Sequence, residues 1–143
     1  MSFNTSPPAS FWIISVLLLL WSLMGDAAYL MQVTADLDQM ATTDPETARI
    51  FAAMPTWVWS AYAIAVWVGT LGVVALLLRR RVAVPLFIVS LIGVIVQFGY
   101  TFAGTDILAR KGASTAIFPL VIIAIGLFEI WWSRRCAASS HLR

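Results

Sequence analysis

Charge is scarce in this chain. Asp, Glu, Lys and Arg together make up 11% of its 143 residues, where a soluble domain carries about a quarter. Cysteine is scarcer: Cys136 stands alone, which excludes an intramolecular disulfide and leaves a free thiol. The one histidine, His141, lies in the tail with no ligand-spaced neighbour. The acidic stretch between 36 and 46 lacks the glycine-bearing spacing of a calcium loop. No nucleophile elbow, pair of catalytic carboxylates, phosphate-cradling glycine loop or metal-ligand cluster can be found. Nor is there a basic tract with interleaved aromatics that would suit nucleic acid. The expectation is a protein that is not an enzyme and uses no cofactor and no metal.

What the chain has is apolar surface. Hydrophobic residues make up 61%, more than a soluble fold of this length can hide, so lipid is the expected solvent. A hydrocarbon core of about 30 Å takes roughly 20 residues of helix, and four stretches qualify, at about 10–32, 57–78, 82–102 and 113–132. They predict an all-α, integral membrane four-helix bundle in a single domain over residues 1–143. An alternative for the first stretch is a signal peptide, with 11–24 as its core and Gly25-Asp-Ala27 as the cleavage site. No Lys or Arg precedes that run and residues 28–31 extend it, so the segment is expected to be retained.

The arginines orient the bundle. Arg79, Arg80 and Arg81 fill the tight connection between the second and third stretches, and Arg134, Arg135 and Arg143 follow the fourth. The other two connections hold three cations, Arg49, Arg110 and Lys111, and the acids Asp36, Asp38, Asp44, Glu46 and Asp106. The positive-inside rule puts the arginine-rich side in the cytoplasm, and both termini with it. Arg79–Arg81 thus read as topology anchors, not as a nucleotide site. Phe11, Trp12, Trp131 and Trp132 would form the inner aromatic belt, and Trp57, Trp59 and Phe102 the outer one. In the outer loop, 33–56, Thr43-Asp-Pro-Glu46 reads as a capping box opening a short helix at about 44–54, with Thr47, Ile50, Phe51 and Met54 on one stripe.

Ionisable groups inside a membrane are costly, so each needs a reason. Asp26 is the main one. It lies near the outer end of the first stretch, with Tyr29 on its face. Gln97 and Tyr100 of the third stretch and Tyr62 of the second fall at a similar expected depth. Asp26, Tyr29, Tyr62, Gln97 and Tyr100 therefore form a candidate polar cluster opening outward. It would be either a proton or solute site, or a carboxyl hydrogen-bonded to Gln97 or a tyrosine that locks helix packing. Asp26-Ala-Ala-Tyr29 and Gln97-Phe-Gly-Tyr100 also form a faint internal echo. Glu129 reads as a snorkelling acid or one paired with the arginines. Ser90, Gly93, Gln97 and Gly104, with Gly69 and Gly72, read as packing positions. Pro119 should kink the fourth helix against the carbonyl of Thr115. Trp21 and Trp67 read as bundle filling rather than platforms for a sugar ring.

Several segments carry a family likeness. Trp21-Ser-Leu-Met-Gly25-Asp-Ala-Ala-Tyr29-Leu-Met-Gln32, Pro55-Thr-Trp57, Ala63-Ile-Ala-Val, Arg79-Arg-Arg-Val-Ala-Val-Pro85-Leu-Phe and Ser90-Leu-Ile-Gly-Val resemble small proteobacterial inner-membrane proteins of four helices, many labelled sugar transporters. The resemblance implies the fold and the bacterial inner membrane, with no site residues to carry over, and no residue here supports the sugar label itself. Asp26 stands where that group leads one to expect a valine. The expected function is transport of a small solute, a sugar among the candidates, by a homo-oligomer in the lipid bilayer. The alternative is a non-catalytic accessory or scaffold subunit that binds another membrane protein through the outer loop.

Overall fold

The fold is that of a computed structural model, which describes residues 7–103, 117–139 and 141–142. The helices are α1 (Ala9–Val33), α2 (Leu37–Thr43), α3 (Pro45–Ala53), α4 (Thr56–Leu77), α5 (Ala83–Ala103) and α6 (Ile117–Ala138), and the described residues contain no strand. The long helices α1, α4, α5 and α6 hold 21 to 25 residues each and are long and apolar enough to cross a membrane. Their outer faces are lined with exposed Leu, Ile, Val, Phe and Trp.

Small residues set the packing. α1 and α4 run antiparallel: Asp26 meets Thr70, and the Tyr29 ring meets Tyr62 with centroids 5.0 Å apart. α4 and α5 are antiparallel in turn. A Cβ on Gly69 would lie 2.9 Å from Ser90 Oγ, one on Gly72 2.8 Å from the Phe87 ring, and one on Gly93 2.9 Å from the Ala61 carbonyl oxygen. These glycines let the two backbones approach, as expected at helix crossings in apolar surroundings. α5 packs against α6, where a Cβ on Gly126 would touch Leu91. Within α4, residues Ile64–Val68 form a π-helical segment at the crossing with α5, where Ser90 Oγ donates to the Ala65 carbonyl. Such widened turns release a carbonyl from the regular ladder, and the Ser90 hydroxyl takes it up.

At the arginine end, α4 stops in a Schellman arrangement. Arg79 has φ 58°, its N–H donates to Leu76 O, and Arg80 N–H donates to Ala75 O. Arg79 Nε then donates to His141 O, and Arg81 donates to Leu142 O and Ala137 O, which fastens the C-terminal tail under the bundle. Leu142 is buried there with Phe11, Leu76, Phe87, Trp132 and Cys136. Phe11 and Trp132, expected in the aromatic belt, therefore belong to the core. Trp12 and Trp131 stay exposed, and Arg135 lies over the Trp131 ring at 5.4 Å.

Other expectations are adjusted by local chemistry. α6 runs on to Ala138, beyond the expected end near 132, because Arg134 and Arg135 do not interrupt a helix whose last turns pack on the tail. The cap of α3 is Asp44, not Thr43. Asp44 Oδ1 accepts from Thr47 N–H and its Oδ2 from Thr47 Oγ1, while Thr43 ends α2, a helix not anticipated. α2 has its own cap, with Asp36 Oδ1 accepting from Asp38 N–H and Gln39 N–H. Ile50 of the expected α3 stripe is buried, and Phe51 packs edge-on to Trp59 of α4. The expected start of the fourth helix near 113, with Gly104, Asp106, Arg110, Lys111 and Thr115, lies outside the described residues, as does Arg143. Pro119 is in the first described turn of α6.

Candidate functional site

A cavity of about 370 Å³ lies among α1, α4, α5 and α6, within the usual range of about 300–1,000 Å³ for small-ligand sites. The elements that widen the bundle also make it. The π-helical segment contributes Ala65 and Val66, and Gly25, Gly69 and Gly126 leave room where side chains would otherwise stand. Most of the wall is apolar, from Trp21, Met24, Val94, Phe98, Phe118 and Ile122 among others. Trp21 and Phe118, with ring centroids 6.2 Å apart, bring α1 to α6. Met24 and Phe118 line the cavity and are each 59% exposed, so it reaches the surface between α1 and α6. Toward the arginine end it is shut by the packed side chains of Phe11, Val73, Leu76 and Phe87.

The polar lining is Ser22, Gln32, Tyr62, Ser90, Gln97 and Glu129. Tyr62 is hydrogen-bonded to Gln32, and Ser90 is committed to Ala65. Among the described residues, Glu129 is the one lining residue with a carboxyl group, and no Lys, Arg or His lines the cavity. It is 7% exposed, and its Oε2 has no hydrogen-bond partner among the described residues. The expected pairing with arginine is not found: the one ion pair among the described residues joins Arg49 to Glu46 on the surface. Arg79 and Arg81 turn to the tail, and Arg134 is exposed, about 140° around α6 from Glu129 at 3.6 residues per turn.

The polar cluster expected around Asp26 is divided. Asp26 faces α4 rather than the cavity; its Oδ2 accepts from Thr70 Oγ1 at 2.6 Å, and Oδ1 is buried with no partner among the described residues. Next to Thr70, Gly69 meets Ser90, seven residues and two helical turns from Gln97 along α5, so Asp26 and Gln97 do not share a depth. Tyr62 and Gln97 line the cavity, while Tyr29 lies behind Tyr62, between it and Trp67, with ring centroids 5.0 and 6.5 Å away. Tyr100 packs edge-on to Trp57 at the far end. Trp21 belongs to the cavity wall and Trp67 is 40% exposed. The residues missed by sequence reasoning are Thr70, Gln32 and Ser22, together with the cavity position of Glu129. A carboxyl in the interior of an apolar helix was the visible signal for Glu129. Its distance from the arginines depends on how the helices are rotated, which spacing does not give. The described residues hold no cluster of three or more His, Cys, Asp or Glu able to bind a metal ion.

Compared with known proteins, the chain matches no family model, no curated protein and no solved structure.

Proposed function

We propose that the chain is a four-span protein of the bacterial inner membrane, with both termini in the cytoplasm, that binds a small solute in its central cavity and carries it across the bilayer. The observation that carries this reading is the cavity itself: a space of about 370 Å³ inside four helices of membrane-spanning length, with an unpartnered buried carboxyl on its wall. The exposed apolar faces suit lipid as solvent. The arginine turn and the C-terminal tail, fastened to each other, suit the cytoplasmic side by the positive-inside rule. One chain encloses the binding site, so a homo-oligomer serves the transport step rather than binding. Moving the solute inward requires the packed layer of Phe11, Leu76 and Phe87 to part.

The test is saturable uptake into proteoliposomes of a panel of labelled sugars and small amines. Uptake of at least one should disappear in Ala28→Phe, which fills the cavity from α1. An absence of both uptake and binding for the whole panel would remove the reading.

A further inference from the structure

We infer that the cavity takes a small organic cation, a protonated amine with an apolar or aromatic body, whose ammonium group sits on Glu129; this rests on the cavity being a solute site. Glu129 is more than nine-tenths buried, lines the cavity, and leaves Oε2 without a donor. Among the described residues no Lys, Arg or His lines the cavity to answer it, which leaves a place there for a donor from outside the chain. A carboxylate in apolar surroundings is best answered by an ionised donor, because charge-assisted hydrogen bonds are the stronger kind.

The remaining wall describes the rest of the ligand. Trp21, Phe98 and Phe118 offer ring faces and edges, which suit an apolar body and add cation–π attraction. A sugar fits this wall poorly. It brings a hydroxyl on nearly every carbon, while the Ser90 hydroxyl is taken by Ala65 and Tyr62 is bonded to Gln32, which leaves Ser22, Gln97 and Glu129 of the described lining to answer them. Each hydroxyl buried without a partner costs roughly tenfold or more in affinity. The surface opening between α1 and α6, flanked by Met24 and Phe118, is itself apolar and suits entry of an amphipathic amine from among lipid tails.

The experiment uses the full chain in lipid nanodiscs and three probes of one shape: phenethylamine, 2-phenylethanol and phenylacetate. Equilibrium binding should favour the amine over the alcohol by about tenfold or more, with phenylacetate weakest. In Glu129→Gln, nearly isosteric, amine and alcohol should bind within about twofold of each other; Glu129→Asp should keep the preference at lower affinity. Equal binding of amine and alcohol by the unaltered protein would overturn the cation inference and leave the solute site standing. A preference that survives in a folded Glu129→Gln protein would also overturn it. Failure of all three probes to bind would overturn the cation inference, whereas the solute-site reading stands or falls with the uptake panel.

Discussion

A buried carboxyl oxygen without a donor costs about 1–3 kcal/mol, and Asp26 and Glu129 each carry one. They differ in what surrounds them. Asp26 is held between two helices by Thr70, so its role is to lock α1 on α4. Thr70→Val should destabilise the detergent-solubilised protein by about 1–3 kcal/mol, since it strips the carboxyl of its donor. Asp26→Asn keeps an acceptor for Thr70 and should cost less; thermal unfolding of the two variants checks the order, and a smaller loss for Thr70→Val would refute the lock. Glu129 lines the cavity, and no hydrogen bond among the described residues ties its Oε2 to another helix. The sequence made both acids visible as charges within apolar runs. It drew attention to Asp26 and away from Glu129, because the arginines are near Glu129 along the chain and turned away from it in space.

The positions of α1, α4 and α5 followed closely from hydropathy, since length and apolarity are properties of one segment at a time, whereas α6 runs past its expected end near 132 to Ala138. The packing glycines were also legible. Gly93→Ala would set a Cβ 2.9 Å from a backbone oxygen, where no side chain can yield, and should cost about 1–3 kcal/mol. Gly99→Ala meets nothing within 4 Å and should be neutral or slightly stabilising. Melting temperatures of the pair test whether close approach, rather than glycine itself, is what the crossing needs. The π-helical segment was not legible, because it answers to Ser90 and Gly93 on another helix. α2 was missed although Asp36 and Gln39 stand at capping-box spacing, a signal that was available. The cap of α3 was misassigned by one residue within a run of capping types, Thr42-Thr43-Asp44. Asp44→Ala should weaken α3 by roughly 0.5–2 kcal/mol, read as faster amide exchange over 45–53, whereas Thr43→Ala should leave that exchange unchanged.

As a whole, the molecule has an arginine end where the α4–α5 turn and the tail are fastened together. Its other end carries the short helices α2 and α3, and the cavity between them opens sideways through α1 and α6. The four long apolar segments were readable one by one. The cavity was not, because it exists only where their registers leave small residues facing one another. The account depends on these helices crossing a bilayer with the arginine end inside the cell. Single cysteines at Thr42 and Ser139, both exposed and at opposite ends, in a Cys136→Ser background, test this directly with a membrane-impermeant maleimide. On intact cells Thr42→Cys should react and Ser139→Cys should react only after disruption. The reverse pattern, or labelling of both on intact cells, would contradict the account.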